Sequence, residues 1–140
     1  MTSLKVYSVS GKSMSPYLGE YDQVFVKEKS PEVGQIVLLQ ENLSQSSIVH
    51  RFLGNSRFKG DRVTEDDQQI APLGVVVARQ RGDRLVPLEN AFTRYCGRWI
   101  AILSSLNSGD GIERRAFTLI LVVSLYIQRK IEDIFLSENK

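Results

Sequence analysis

Three short segments carry side chains that could act together in nucleophilic catalysis. Ser13 lies in a turn, His50 lies in an apolar run, and two aspartates, Asp61 and Asp67, follow a Lys-Gly pair. A serine hydroxyl is a weak nucleophile until a base takes its proton, and neutral imidazole suits that task near neutral pH. A carboxylate on the far ring nitrogen would hold the imidazole tautomer and stabilise the imidazolium. The chain therefore supplies the residue types of a Ser–His–Asp site, although most chains contain all three.

Each of these residues also has a plain structural interpretation. A glycine before Ser13 and a proline after it restrict the backbone and hold the hydroxyl in place, yet a turn serine often bonds to its own backbone. His50 could be a hydrogen-bonded core histidine, and the acidic stretch 61–67 could be a solvated, turn-rich loop. Lys59, in the same loop, is expected to be structural, and it becomes the alternative base if His50 points away from Ser13.

Composition excludes several classes of protein. With 140 residues, of which 42% are apolar, the chain can bury one domain's core. The net charge of +2 is too small to argue for a nucleic-acid partner. A single cysteine, Cys96, and a single histidine exclude a disulfide framework, a cysteine-built zinc site and a two-histidine metal motif. We expect no cofactor, no metal and no nucleic acid, with Cys96 as a small buried apolar residue.

The elements that would position these residues change character along the chain. Short β-branched runs, separated by turn residues, predict strands at 4–9, 23–27, 35–39, 47–53, 73–78 and 83–86. Many short strands at this spacing predict a mainly β domain over residues 1–88, built as a small coiled sheet or partly open barrel. Helical spacing over 89–106 and 112–136 predicts a helical pair, so that residues 89–140 form a C-terminal helical extension.

The second predicted helix has two interpretations of equal weight. Its middle is apolar nearly all round and its ends are basic, which fits a packing or oligomer helix and equally an interfacial membrane helix. Residues 112–136 are therefore the expected contact with a membrane surface or a partner protein. Five nearby arginines could form a solvated face or meet acidic peptide or anionic lipid headgroups: Arg79, Arg81, Arg84, Arg94 and Arg98.

Several motifs together resemble the signal peptidase and LexA-like serine peptidases. In order, over about residues 6–80, they are Ser13-Met14-Ser15-Pro16, Asp22-Gln23-Val24-Phe25-Val26, Val33-Gly34-Gln35-Ile36-Val37, Val49-His50-Arg51 and Lys59-Gly60-Asp61 with Asp67. The Val-His-Arg context resembles the histidine-base signal peptidases of the endoplasmic reticulum and archaea rather than the lysine-base type. The resemblance implies a signal-peptidase-like fold and a serine endopeptidase that cleaves a leader or precursor peptide.

The same resemblance implies roles for individual residues. Ser13 would be the nucleophile and His50 the general base. Of the two aspartates after the Lys-Gly pair, we favour Asp67 as the residue that orients His50, with Asp61 as loop support or a second acidic partner.

Two departures from the family pattern change the expected function. Gly11 stands where many signal peptidases have a serine that contributes to the oxyanion hole, so the hole would rest on backbone N–H groups, including that of Ser13. No N-terminal anchor or signal peptide is recognisable, which predicts a cytoplasmic protein, with the inner face of the membrane as an open alternative. Two other functions stay open: a non-catalytic peptide-binding module and a self-cleaving LexA-like regulator.

Overall fold

The protein forms a mainly antiparallel β-sheet followed by two helices, as the sequence predicts. This computed structural model describes residues 3–40, 47–61, 71–107 and 111–139. The elements are β1 (Leu4–Ser8), β2 (Gln23–Lys27), β3 (Ile36–Gln40), β4 (Ser47–Gly54), β5 (Arg57–Lys59), β6 (Pro72–Arg81), β7 (Arg84–Pro87), α1 (Ala91–Leu106), α2 (Ile112–Phe135) and β8 (Glu138–Asn139).

The long strand β6 organises the sheet. It pairs with β2 on one side and, on the other, first with β3 and then with β7. The strand order is β1-β2-β6-β3-β4-β5, with β7 and β8 beside this path. Across the described residues the order does not return to β1, so the sheet is open, with β1 and β5 at the two ends of this path.

Two strands were not predicted from the sequence, β5 and the two-residue β8. Lys59, expected in a turn-rich loop, ends the three-residue strand β5. Asn55 and Ser56 both have positive φ, and they form the turn that returns the chain against β4. Phe52 and Phe58 then pack with ring centroids 5.3 Å apart. A strand this short has no periodicity of its own, so it is fixed by this cross-strand contact.

The helices cover one face of the sheet and share its main core. Ile100 of α1 and Leu121 and Leu125 of α2 belong to the same buried cluster as Leu38 and Val76 of the sheet. Helix α1 begins where Asn90 Oδ1 accepts a hydrogen bond from the Thr93 N–H at 2.8 Å. Cys96 on α1 is half-buried, and burial raises the pKa of its thiol. A smaller cluster of Val37, Leu39, Phe58 and Val75 forms a second core.

The turn between β2 and β3 lies directly against α1. Gly34 has φ +92°, and a Cβ at this position would lie 2.3 Å from the backbone carbon of Gly97. Real Cβ atoms do not approach that closely, so both positions need glycine for α1 to lie where it does.

No helix in the described ranges is both long enough and apolar enough to cross a bilayer.

Candidate active site

Ser13 lies in a groove between two strand edges. The turn that carries it begins at Gly11, whose φ of +85° is costly for any residue with a Cβ. The groove has a volume of about 250 Å³. Besides Ser13 and Met14, its walls come from the end of β1 and the residues after it, from β3, and from the start of β4: Tyr7, Ser8, Val9, Ser10, Gly11, Leu38, Ser47, Ile48 and Val49.

Among the residues described, both strands beside the groove leave one edge unpaired. In the part of the chain that the structure describes, β1 pairs with β2 alone. Residues Ser47–Val49 of β4 pair with β3 on one side, and the pairing of β4 with β5 begins later, at Arg51. Open edges present backbone N–H and C=O groups that an extended peptide can pair with. The groove is therefore a place where a bound strand could lie beside Ser13.

His50 lies next to this groove and is not among its lining residues. Its side chain is buried, and His50 is paired with Val37 across the β3–β4 ladder. Because successive strand residues alternate, His50 shares its face with Ile48, and both Ile48 and Val49 border the groove. The structure thus brings the strand that carries His50 to the Ser13 groove, while a Ser13–His50 dyad stays a prediction.

A chain of direct contacts connects the three motif segments. The backbone N–H of Asp61 donates to the Sδ atom of Met14 at 3.4 Å. The Asp61 carboxylate accepts from Arg51 through both oxygens, at 2.8 Å from Nε and 2.7 Å from Nη2. Arg51 also donates to the Gly34 carbonyl at 2.8 Å. The neighbours of Ser13 and His50 in sequence are therefore joined through one buried aspartate.

The Arg51–Asp61 pair is a buried, bidentate ion pair. The two side chains are 2% and 0% exposed. Burial alone would lower the pKa of Arg51, but the charge of Asp61 and its hydrogen bonds outweigh this and raise it. Because Arg51 occupies both carboxylate oxygens, Asp61 has the geometry of a supporting residue. Asp67, the predicted partner of His50, lies outside the described residues.

Lys59, the alternative base, is directed to the end of α1. Its ammonium group donates to the carbonyls of Ser104 at 2.9 Å and Asn107 at 3.3 Å. The last carbonyls of a helix lack intrahelical donors and carry partial negative charge, so a buried lysine stabilises them there. These contacts give Lys59 a structural role, as expected from the sequence.

Arg129 of α2 holds the segment that follows Ser13. Its Nη1 atom donates to the carbonyls of Tyr17 at 2.5 Å and Pro16 at 3.4 Å, and to Asp22 Oδ2 at 2.9 Å. Burial alone would raise the pKa of Asp22, but hydrogen bonds from Arg129, from a backbone N–H and from Arg81 lower it. The C-terminal helix therefore positions the serine turn through its backbone.

A second buried network joins α2 to the same turn. Glu132, with no exposed surface, accepts from Tyr17 Oη at 2.6 Å, Thr93 Oγ1 at 2.9 Å, Gln128 Nε2 at 2.8 Å and Arg79 Nη2 at 3.1 Å. The Glu132 charge adds to burial in raising the pKa of Tyr17. For Arg79, the expectation of a solvated face is wrong because its guanidinium is buried against Glu132 and Asp133.

Sequence reasoning missed these α2 residues. A signal existed, because Gln128, Arg129 and Glu132 place polar groups on one side of the helix directly after its apolar middle. The sequence leaves the basic end of α2 as the flank of either a packing helix or an interfacial membrane helix, whereas Arg129 is turned inward.

No metal centre is evident in the ranges described. No three His, Cys, Asp or Glu side chains among those residues lie close enough together to hold an ion.

Comparison of the chain with family models, with curated proteins and with solved structures gives no significant match.

Proposed function

We propose that the protein is a serine endopeptidase of the signal-peptidase-like type, with Ser13 as nucleophile, His50 as general base and Asp67 as the residue that orients His50. The observation that carries the proposal is the position of Ser13 in a groove between two open strand edges. The contacts from Met14 through Asp61 to Arg51 support it, because they join the three motif segments.

In this mechanism, Ser13 Oγ attacks the carbonyl carbon of the scissile peptide bond while His50 accepts the hydroxyl proton. Backbone N–H groups, including that of Ser13, stabilise the negative oxygen of the tetrahedral intermediate. The C–N bond breaks, and His50 gives the proton to the leaving amine. Water, deprotonated by His50, then hydrolyses the acyl-enzyme and releases the carboxylate product and free Ser13. The mechanism requires no metal or cofactor.

The substrate is an extended peptide that pairs with β1, β4 or both. The groove is small, and its lining combines serines with Val9, Leu38, Ile48 and Val49. Such walls favour small apolar side chains next to the cleaved bond. A leader peptide or small precursor protein on the cytoplasmic side fits these requirements.

A matched pair of serine variants tests the proposal. The purified chain is incubated with a mixture of unstructured peptides, and new termini are identified by mass spectrometry. Ser13→Ala should lower the cleavage rate by roughly ten-thousand-fold, whereas Ser15→Ala, in the same turn, should stay within about threefold of the unaltered protein. Circular dichroism confirms that both variants are folded.

The same experiment can contradict the proposal. Unchanged cleavage by Ser13→Ala would exclude Ser13 as the nucleophile. Peptide binding without cleavage in every variant, including the unaltered chain, would instead favour a non-catalytic peptide-binding module.

A further inference from the structure

The two helices expose an apolar surface that the core does not use. On α1 one stripe is exposed at helical spacing: Tyr95, Trp99, Ile102 and Leu106. On α2 the exposed side chains include Leu119, Val123, Tyr126 and Ile127. Trp99 and Ile127 border the same shallow cleft between the helices, so the stripes form one continuous surface, here called the outer helical face. Patches of this kind mark interaction sites.

A basic cavity opens beside this face. It has a volume of about 440 Å³ and is lined by Pro16, Tyr126 and six charged residues: Arg79, Arg81, Arg84, Arg129, Lys130 and Asp133. Tyr126 belongs to both the cavity and the outer helical face, and the Lys130 ammonium lies 5.6 Å from the Tyr126 ring centroid. The mouth of the cavity is therefore adjacent to exposed apolar surface.

The cavity has more positive charge than its carboxylates neutralise. Asp22, Glu132 and Asp133 pair with three of the five cations, which are Arg79, Arg81 and Arg129. Arg84 and Lys130 are exposed and have no carboxylate partner among the described residues. An excess of two cations in a concave site attracts an anion.

We propose that the basic cavity binds the phosphate group of an anionic phospholipid, with the outer helical face lying against the bilayer. The apolar side chains of the outer helical face contact the acyl chains, and its tyrosine and tryptophan side chains lie at the membrane–water interface. The cations of the basic cavity contact the lipid headgroups. A second copy of the chain fits less well, because a two-fold contact would bring Arg94, Arg98 and Lys130 near like charges of its partner. The proposal does not depend on peptidase activity.

Vesicle co-sedimentation tests this directly with the full chain at fixed ionic strength. The protein should sediment with vesicles that contain phosphatidylglycerol and only weakly with vesicles of phosphatidylcholine alone. The double variant Arg84→Gln/Lys130→Gln should lower partitioning roughly thirty-fold, since each cation near an anionic surface contributes about a fivefold factor. Lys5→Gln/Lys27→Gln removes the same charge on β1 and β2 and should change partitioning less than about threefold.

Three results would overturn the proposal. One is equal loss of binding in the two double variants, which would make the effect one of net charge. Another is binding of inorganic phosphate, detected by calorimetry, without any vesicle binding, which would indicate a soluble phosphate ligand. The third is a dimer in sedimentation equilibrium that Leu119→Ser/Val123→Ser dissociates, again without vesicle binding. Peptide cleavage is measured separately, so failure here leaves the proposed function untouched.

Discussion

Replacing Asp61 with asparagine separates a structural carboxylate from a catalytic one. Both Asp61 oxygens accept hydrogen bonds from Arg51, and both side chains are almost fully buried. The variant would leave the Arg51 guanidinium buried without its counter-charge. Breaking a buried pair in this way costs about 3–5 kcal/mol, a large share of the roughly 5–15 kcal/mol by which domains are stable.

The lower end of that range applies here, because an asparagine oxygen can still accept one of the two hydrogen bonds. A loss of about 3 kcal/mol corresponds to a fall in melting temperature of roughly 10 °C for a chain of this size. Adding Arg51→Met removes the stranded charge, so the double variant should recover about 2 kcal/mol relative to additivity. Asp83→Asn, at an exposed turn, makes the same chemical change and should alter stability by less than about 0.5 kcal/mol.

Urea unfolding followed by circular dichroism measures these free energies, and peptide cleavage is then measured on the folded fraction. Asp61→Asn should keep kcat/KM within about tenfold, whereas Asp67→Asn should lower kcat roughly ten-thousand-fold and leave stability unchanged. The opposite result, an Asp61→Asn variant that is as stable as the unaltered protein but loses cleavage, would contradict the structural role of Asp61. Asp61 would then be the acid that orients His50.

Two further predictions concern the anchoring of the serine turn by α2. Arg129→Gln should lower kcat about a hundredfold with little change in KM, because the Pro16 and Tyr17 carbonyls lose their donor and Ser13 shifts. Arg129→Lys should recover part of the lost kcat. An unchanged kcat in Arg129→Gln would contradict the positioning role of Arg129. The pKa of Asp22 is lower in the folded protein than in the unfolded chain, where it is about 3.9. The ionised carboxylate therefore stabilises the fold at pH values above the unfolded pKa, and this stabilisation is lost as the pH falls through the folded pKa. The free energy of unfolding should therefore decrease on acidification below about pH 5, with a shallower slope in Asp22→Asn, and equal slopes would exclude Asp22 as a contributor.

The elements of this fold follow largely from local sequence. β-branched runs between turn residues predict six of the strands, and helical spacing after residue 89 predicts both helices. Gly11 marks the turn that carries Ser13, because a positive φ is a requirement of a single residue. Local sequence patterns are sufficient to predict these elements, because the residues that form each element are close together in the chain.

Local sequence predicts only part of the candidate site. The motifs identify Ser13, His50 and the two aspartates, and the order of the motifs suggests that they meet. The contact of Asp61 with Met14 spans 47 positions, so no local pattern could indicate it. The Arg51–Asp61 ion pair likewise could not be predicted from the sequence, because it forms only when β4 and the residue range after β5 lie side by side.

Local sequence thus predicts six strands, both helices and the candidate chemistry, whereas the packing of the helices on the sheet establishes which charges are buried. From the sequence alone, Arg79 is expected on a solvated face and Arg129 at the flank of a helix, because charged side chains stay in water unless a partner satisfies them. Their partners are distant in the chain, as with Tyr17 and Glu132, which lie 115 positions apart. Burial of a charge depends on the whole set of hydrogen bonds around it, and that set exists only when sheet and helices have packed together.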